Sequence, residues 1–269
     1  QPFSSEVVFA SDTISKALLD AAKNDKVKAV VFRVSSPGGS AVASDQIWDA
    51  VEKVKQAGKP VVISMGAYAA SGGYYVSAGG DRIVAWPSTI TGSIGVLGGK
   101  IAINEALKKY AGANAESIKV GGPFVGALSA GEPFTNYQRD QFHRLMENVY
   151  NDFTGKVAVG RKLPIERVRE IAKGRVWSGT QAKAIGLVDE YGGLRTSLAI
   201  ARKLGKLKDD APVIRYPEPQ SPFEALQSFF GVSSEAARAA GALSVLLGDD
   251  RIQQMAKIAR ESQGGVRTE

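Results

Sequence analysis

Apolar residues recur at two alternating spacings along the first half of the chain. After Ser11, which we expect to cap a helix, apolar positions three and four residues apart predict an amphipathic helix: Ile14, Leu18, Leu19 and Ala22. Residues 27–34 are mostly β-branched and predict a buried strand. It stops at the turn-rich residues 35–40, and a second amphipathic helix follows up to Gly58.

The same alternation continues along the chain. Residues 60–65 and 82–85 predict two further short strands, and the small residues 66–75 between them lead into a helix. Later segments predict helices at 136–160 and 164–173, while 179–185 and 194–204 complete the compact part. Strands that alternate with helices favour βαβ units, so the pattern predicts an α/β domain with a largely parallel sheet covered by helices.

The composition changes after residue 206. Four prolines within eleven residues indicate a linker: Pro212, Pro217, Pro219 and Pro222. We therefore predict a compact domain at 1–206, followed at 207–269 by a Pro-rich linker and a helical C-terminal tail. Apolar residues suit the tail for docking on another subunit or on its own domain: Phe223, Phe229, Phe230, Leu243, Leu246 and Leu247.

Neither a leader nor a membrane span is visible in the sequence. The longest uncharged apolar stretch lies between Arg238 and Asp249 and has about half the length that a bilayer-spanning helix needs. A helical pattern begins almost directly after Gln1, without a basic and apolar leader. We expect the chain to be a piece of a longer protein.

Composition narrows the chemistry. The chain has no cysteine, which excludes thiol nucleophiles, disulfides and cysteine-ligated metals, and its single histidine excludes a multi-histidine metal centre. Acid–base chemistry would therefore rest on lysine, carboxylate or tyrosine groups. The net charge of +7 is spread out, with no basic run interleaved with aromatic residues, so we expect no nucleic-acid partner.

Ser71 is the first candidate for chemistry. It follows a predicted strand, stands where a helix should begin, and is flanked by Ala70, Gly72 and Gly73. Small neighbours let a substrate backbone come close, and free N–H groups at a helix start point toward developing negative charge. The alternative is a serine that only caps the helix, with small neighbours that permit tight packing.

Gly38 and Gly39 lie just past the end of a predicted strand, where open α/β sheets bind ligands. The N–H of Gly39, or that of Gly38, together with the N–H of Gly72 would form an oxyanion hole. Each such donor typically stabilises a transition state by about 3 kcal/mol. The alternative is a glycine-rich turn before a helix. It is not a phosphate loop, because no Gly-Lys-Ser/Thr follows.

Several motifs occur in the order found in one protein family. They are Ser35-Ser36-Pro37-Gly38-Gly39-Ser40, Ala69-Ala70-Ser71-Gly72-Gly73-Tyr74-Tyr75, Pro87-Ser88-Thr89-Ile90-Thr91-Gly92-Ser93-Ile94-Gly95, Gly174-Arg175-Val176-Trp177-Ser178-Gly179 and Gly186-Leu187-Val188-Asp189. Over roughly residues 10–205 the chain resembles the signal peptide peptidase A family of Ser/Lys proteases. The resemblance implies an α/β fold of the Clp protease/crotonase type, with a ββα-type superhelical core, a largely parallel sheet, flanking helices and the helical tail.

The resemblance also implies roles for individual residues. Ser71 would be the nucleophile that forms an acyl-enzyme, and Gly39 and Gly72 would supply the oxyanion hole, with Gly38 as a further possibility. Ser93 would orient the general-base lysine. No cofactor and no metal are expected. The domain at 1–206 would then be a peptidase domain, and more narrowly its serine-bearing half.

The base lysine is where this chain departs from the family. Single-domain members carry that lysine in the loop after the strand aligned with residues 117–125, where this chain has Val125. Longer members are tandem duplications with the lysine in the N-terminal half and the serine in the C-terminal half. We therefore expect the base on another half or protomer. Within this chain Lys119 is the fallback, and Lys100 is the second substitute.

Other side chains are expected to be structural. Clp proteases use a Ser-His-Asp triad, but His143 lies within a predicted helix, 72 residues beyond Ser71, and is interpreted as an ordinary helix residue. Asp81 and Asp189 are interpreted as turn and cap residues. For four aromatic residues, core packing is favoured over lining an apolar substrate pocket: Tyr68, Tyr74, Tyr75 and Trp86.

The resemblance implies a Ser/Lys endopeptidase that degrades residual signal peptides and other short apolar peptides at the bacterial cytoplasmic (inner) membrane, on its periplasmic or extracytoplasmic face. Its anchor would lie in a segment absent from this chain. Its partners would be the peptide substrate, the N-terminal half that carries the base lysine, and further copies in a ring, for which a tetramer is one form. Two alternatives stay open: a crotonase-type acyl-CoA enzyme and a non-catalytic scaffold or peptide-binding half.

Overall fold

A computed structural model describes residues 9–114 and 116–217 of the chain, and within these ranges helices and strands alternate. In chain order the elements are α1 (Ser11–Lys23), β1 (Val30–Ser36), α2 (Ala41–Gln56), β2 (Val61–Ala70), α3 (Gly72–Ala78), β3 (Arg82–Ala85), β4 (Ile90–Gly92), α4 (Asn104–Ala111), α5 (Asn136–Arg161), α6 (Ile165–Ile171), β5 (Val176–Ser178), α7 (Gly179–Ala184), β6 (Glu190–Tyr191) and α8 (Leu194–Leu204). The predicted α/β domain with flanking helices is confirmed.

The strands in the described ranges form one sheet around β2. The order is β5-β4-β2-β3-β6, and β1 pairs with β2 along residues 61–65 and, after a register shift, through Ser36 with Ala69. Every strand pair is parallel except β4 with β5. Because β2 is central, residues 61–65 are fully buried. The carboxyl ends of β1 and β2 therefore open at the same edge of the sheet, where the chain turns into α2 and α3.

Helix α2 covers the sheet with the face that its sequence predicts. Ile47, Val51 and Val54 recur at helical spacing, and each is almost completely buried. At its start, Ser40 caps the helix by accepting a hydrogen bond from the N–H of Ala43. The cap fixes the point at which the glycine-rich loop after β1 ends and the helix begins.

Strand β2 runs to Ala70, five residues beyond the predicted end. Residues 68–70 pair with β4, and Gly66 lies so close to β1 that a Cβ on it would stand 2.8 Å from Oγ of Ser35. A small residue is needed at this position because the two strands approach closely. The sequence pattern of residues 66–75 had instead predicted a segment that leads into a helix. The longer strand carries the chain directly to Ser71.

Other expectations about local structure were wrong or incomplete. Helix α1 starts at Ser11 itself, with Ala10 in the cap position and no capping side chain, so Ser11 is not the cap. The strand expected at 117–125 is not formed, and these residues are irregular chain and turns. Helix α4 and strands β4, β5 and β6 were not predicted; α4 buries none of its residues, and the three strands have two or three residues each. Short elements of this kind leave little periodic signal.

The C-terminal region is described only as far as residue 217. Within residues 207–217 the chain still contacts the domain, because the side-chain amide of Asn24 donates to the hydroxyl of Tyr216 at 2.8 Å. The boundary after residue 206 stays a prediction. The helical tail, with its apolar residues, lies outside the described residues.

Lys59 ties the end of α1 to the start of β2. Its buried ammonium donates to the carbonyl oxygens of Ala21, Ala22 and Asn24 at 2.9, 2.6 and 2.8 Å. Helix ends leave such carbonyls without partners, and a cation near a helix C-terminus is also favoured by the helix dipole.

Lys59→Met is therefore expected to lower the free energy of unfolding by about 1–3 kcal/mol, because the carbonyls of Ala21 and Ala22 lose the ammonium donor, while that of Asn24 still accepts from the N–H of Val27. Urea titration measures this change. The matched control is Lys53→Met, which removes an exposed ion pair with Asp49 and should change stability by less than about 1 kcal/mol. Equal midpoints for the two variants would contradict the assigned role of Lys59.

Candidate active site

Ser71 connects β2 to α3 in a conformation that few residues adopt. Its backbone has φ 52° and ψ −120°, and its side chain makes no capping hydrogen bond to the helix. Its N–H donates to the carbonyl of Gly92 at 2.9 Å, and its own carbonyl accepts from the N–H groups of Tyr74 and Tyr75 at 2.9 and 2.8 Å. Such backbone strain costs about 1–3 kcal/mol and persists only where the surroundings hold it. Ser71 is therefore not an ordinary capping serine.

The loop after β1 packs directly on the Ser71 turn. Gly38 has φ 116°, and a Cβ on it would lie 2.7 Å from Cβ of Ser71 and 2.9 Å from the backbone nitrogen of Gly72. A Cβ on Gly72 would in turn lie 3.3 Å from the nitrogen of Gly39 and 2.5 Å from Oγ of Ser44. Only glycine fits at these contacts, so the chain brings the backbones of the two turns together.

Three N–H groups were considered as oxyanion donors, those of Gly38, Gly39 and Gly72, and they differ in whether they already donate a hydrogen bond. The N–H of Gly38 donates to Oγ of Ser36 at 3.2 Å. The N–H groups of Gly39 and Gly72 donate no hydrogen bond to another residue of the described ranges. Gly39 and Gly72 are thus the pair with free donors beside Ser71, and Gly38 acts as the spacer that lets them meet.

A cavity of about 670 Å³ opens on Ser71. Gly39, Gly72 and Ser93 line it together with Ser71. The rest of its wall is mostly apolar and comes largely from α5 and from the chain after β4: Val96, Leu97, Met146, Val149, Tyr150 and Phe153. Such a cavity suits an apolar peptide segment whose carbonyl meets the serine.

A second cavity, of about 570 Å³, shares Gly39, Ser44 and Gly72 with the first. Its wall includes the apolar side chains of Phe9, Ile47, Tyr68 and Val76. Because both cavities meet at the free N–H groups, an extended ligand bound at Ser71 would have room on both sides of the serine.

Ser93 stands in the first cavity on a backbone that is also strained, with φ 49°. Its N–H donates to the carbonyl of Arg175 at 2.7 Å, and the neighbouring carbonyl of Ile94 accepts from the N–H of Gly174 at 2.9 Å. These two bonds hold the turn after β4 against the turn before β5. Ser93 is thereby placed in the same cavity as Ser71, although 22 residues separate the two in the sequence.

Comparison with known proteins tests what this geometry suggests. The profile of peptidase family S49 matches residues 53–208, more than half of the chain, and the profile of Clp protease matches residues 5–90. The chain belongs to peptidase family S49. The Clp protease match also confirms the predicted fold.

Named relatives agree with the S49 assignment. The chain is 39% identical over 202 residues to "Protease 4" of Haemophilus influenzae, covering 75% of this chain and 32% of the relative. It is 38% identical over 182 residues to "Serine protease SPPA, chloroplastic" of Arabidopsis thaliana, at 67% and 26% coverage. It is 35% identical over 190 residues to "Putative signal peptide peptidase SppA" of Enterococcus faecium, at 71% and 54% coverage. The chain thus spans about a third or less of the length of the first two relatives.

The lysines named from the sequence lie away from the serine of this S49 domain. Lys119 forms an ion pair with Glu132 and lowers the pKa of that carboxyl below its ordinary value. Lys100 stands over the ring of Phe134, with its nitrogen 4.6 Å from the ring centroid. Neither residue lines either cavity at Ser71, and neither does Val125.

Lys173 is a cavity residue that sequence reasoning missed. It lines the first cavity as an exposed side chain on a backbone with φ 57°. It directly precedes Gly174, whose N–H bonds to the carbonyl of Ile94 beside Ser93, and this contact between turns far apart in the chain leaves no signal in the sequence.

The aromatic residues near Ser71 divide between the core and the cavities. Tyr74 is fully buried and donates its hydroxyl to the carbonyl of Leu187 at 2.9 Å, and burial raises the pKa of its phenol. Tyr75 lines the first cavity and Tyr68 the second, while Trp86 is half exposed. Core packing is therefore confirmed for Tyr74 and for Tyr75, which is 3% exposed and also touches the cavity, but not for the exposed Tyr68 and Trp86.

The remaining residues considered in the sequence lie outside both cavities at Ser71. His143 is exposed on α5, and Asp189 accepts two hydrogen bonds from Arg161. In the part of the chain that the structure describes, no group of three or more carboxylate or histidine side chains could hold a metal ion. No helix within the same residues is long and apolar enough to cross a membrane.

Proposed function

We propose that this chain is the serine-bearing half of a Ser/Lys endopeptidase that hydrolyses residual signal peptides and other short hydrophobic peptides at a membrane. One observation carries the proposal. The strained Ser71 shares a mostly apolar cavity with two free backbone N–H groups and with Ser93. The S49 assignment and relatives named as proteases support it.

The proposed reaction proceeds by acyl transfer. Oγ of Ser71 attacks the scissile carbonyl carbon while its proton passes to the neutral amine of a lysine. The N–H groups of Gly39 and Gly72 stabilise the negative oxygen of the tetrahedral intermediate. The C–N bond then breaks, and the lysine ammonium returns the proton to the leaving amine. Water, deprotonated by the same amine, hydrolyses the acyl-enzyme and restores Ser71.

A base from outside this chain explains the surroundings of Ser71 best. A lysine acts as a base near neutral pH only when burial or nearby cations lower its pKa. Lys119 is paired with a carboxylate, and Lys173 is exposed. A lysine brought by the N-terminal half or by another protomer would be buried as the cleft is covered, with Ser93 as the hydroxyl that orients it.

Assembly and location form a further part of the proposal. The segment that follows the cavity exposes many large apolar side chains, which suits a ring of copies: Leu97, Ile101, Tyr110, Ile118, Val120 and Leu128. In such a ring, for instance a tetramer, the sites would face an enclosed space. We place it at the extracytoplasmic face of the bacterial inner membrane, held there by a segment outside this chain.

A peptidase assay tests the origin of the base. The chain alone is expected to cleave an apolar fluorogenic peptide at a rate close to background, because its nucleophile lacks a base. Addition of the lysine-bearing half should raise the rate by about 10²-fold or more. The same addition with the base lysine changed to alanine should not. Lys119→Gln should leave the mixed activity unchanged within twofold.

Two results would count against the external base. Strong activity of the chain alone, lost in Lys119→Gln, would assign the base to Lys119. Strong activity alone that survives Lys119→Gln and falls in Lys173→Gln would assign it to the cavity lysine instead.

A further inference from the structure

Three helices meet at the hydroxyl of Tyr75. Asp45 of α2 lies 3.0 Å from this hydroxyl, Asp152 of α5 is also hydrogen-bonded to it, and the ammonium of Lys156 of α5 donates to it at 2.9 Å. Lys156 in turn forms ion pairs with Asp45 and Asp152. We name these four residues the Tyr75 cluster. None of them is assigned a role in the reaction above.

The Tyr75 cluster is partly withdrawn from water. The Lys156 side chain is 18% exposed, and its nitrogen stands 4.7 Å from the ring centroid of Trp48. Burial, helped by hydrogen bonds to Asp152 and Asp45, raises the pKa of the Tyr75 phenol above its ordinary value. The phenol therefore keeps its single proton, which it donates to one of the two carboxylates at a time. Ion pairs of this kind are less screened than those on an open surface.

Tyr75 also contacts the nucleophile through its backbone. Its N–H donates to the carbonyl of Ser71 at 2.8 Å, one of the bonds that hold the strained turn. Its ring packs against Phe153 at a centroid distance of 4.7 Å, and both rings line the cavity at Ser71. The hydroxyl of Tyr75 is therefore held by side chains of α2 and α5, while its backbone N–H holds the carbonyl of Ser71.

We propose that Tyr75 is a positioning residue, whose hydroxyl is anchored by Asp45, Asp152 and Lys156 and whose N–H keeps Ser71 in the strained conformation from which it attacks. The anchor also sets the distance between α3 and the cavity wall on α5. Because α2 begins directly after the Gly38–Gly39 turn, one cluster links the nucleophile, the oxyanion loop and the substrate cavity. The proposal deepens the protease function and its kinetic test rests on it.

Tyr75→Phe and Tyr74→Phe form a matched pair of tests. Both variants keep an aromatic ring beside Ser71, and both backbone N–H groups bond to its carbonyl. Only Tyr75 is anchored in the charged cluster, whereas the hydroxyl of Tyr74 bonds to one core carbonyl. Tyr75→Phe should lower kcat, and the rate at which a fluorophosphonate probe labels Ser71, by about tenfold, with KM within twofold, because the nucleophile is less well placed. Tyr74→Phe should lower the melting temperature and leave both rates within twofold.

Lys156→Met provides a second route to the same anchor. It should reproduce the fall in labelling rate. The double variant Tyr75→Phe/Lys156→Met should be labelled no more slowly than the slower single variant, because both substitutions break the same anchor. Full additivity of the two effects would overturn the proposal. So would a labelling rate for Tyr75→Phe equal to that of the wild type, or an equal loss in Tyr74→Phe.

Hydrogen exchange separates this inference from the protease function. In the chain alone, the peptide that contains residues 71–78 should exchange faster in Tyr75→Phe than in Tyr74→Phe, although Tyr74→Phe has lost a buried hydrogen bond. Equal exchange in the two variants would overturn the anchor. If the wild type is not labelled even with a lysine-bearing half present, the protease function fails while the exchange result still decides the role of Tyr75.

Discussion

Ser71→Ala is expected to lower kcat for peptide cleavage by a factor on the order of 10⁴ or more, because it removes the atom that attacks the carbonyl. The variant should stay folded. The hydroxyl of Ser71 makes no capping bond, so its loss leaves α3 without a new unsatisfied group. The free energy of unfolding should change by less than about 0.5 kcal/mol. Steady-state kinetics with an apolar peptide in the presence of the lysine-bearing half measures kcat, and urea titration measures the stability.

Ser77→Ala is the matched control on the same helix. Ser77 is fully buried and donates its hydroxyl to the carbonyl of Gly73 at 2.7 Å, but it lines neither cavity at Ser71. Its replacement should lower the free energy of unfolding by about 1 kcal/mol and leave kcat within about twofold. The two serines thus predict opposite effects: Ser71 affects rate without stability, and Ser77 affects stability without rate.

The same variant separates the protease from its two alternatives. A crotonase-type enzyme would use the backbone N–H groups and would not need the hydroxyl, so Ser71→Ala with full acyl-CoA activity would favour that reading. A non-catalytic scaffold would bind peptide equally well with serine or alanine and would turn over none. Only a peptidase loses turnover while it keeps peptide binding.

Gly38→Ala is expected to lower kcat/KM by about 10²- to 10³-fold, the effect of losing one oxyanion donor. The new methyl group would stand 2.7 Å from Cβ of Ser71 and 2.9 Å from the nitrogen of Gly72. These atoms would have to move to make room for the methyl group, and all of them belong to the candidate site. The loop that carries Gly39 and the turn that carries Gly72 would move apart, so that only one of the two N–H groups could still reach the oxyanion.

Gly58→Ala controls for backbone strain. Gly58 also has positive φ, 75°, but a Cβ on it would meet nothing within 4 Å, and it lies at the end of α2 that is remote from the glycine loop. It should lose about 1–2 kcal/mol of stability with normal kcat/KM. If Gly38→Ala loses only as much activity as Gly58→Ala, measured at equal folded fraction, the close approach of the two turns is not part of catalysis.

The sequence predicts well those elements whose residues repeat a buried face. Helix α2 has Ile47, Val51 and Val54 at helical spacing, and α5 was predicted within one residue of its observed end. These helices pack one apolar stripe on a core, so their pattern reflects their surroundings. The end of β2 was missed because Gly66 and Ala70 have little strand propensity, and pairing with β1 and β4 decides their conformation.

The candidate site was predicted as a set of residues but not as a geometry. The motifs named Ser71, Gly39, Gly72 and Ser93, and the fold brings them to one cavity. The strain at Ser71 depends on a hydrogen bond that its N–H donates to the carbonyl of Gly92 and on two that its carbonyl accepts from N–H groups of α3, which no local pattern encodes. Lys173 reaches the cavity through contacts between turns far apart in the chain, a relation that spacing cannot show.

The most direct test of the central claim is to find which atom of the chain reacts with a fluorophosphonate probe. The protein is mixed with its lysine-bearing half, treated with the probe, digested and analysed by mass spectrometry, with Ser71→Ala treated in parallel. We predict a single phosphonyl adduct on Ser71 and none in Ser71→Ala. An unlabelled Ser71 in the presence of the lysine-bearing half, or an adduct that persists in Ser71→Ala, would contradict the claim that Ser71 is the nucleophile.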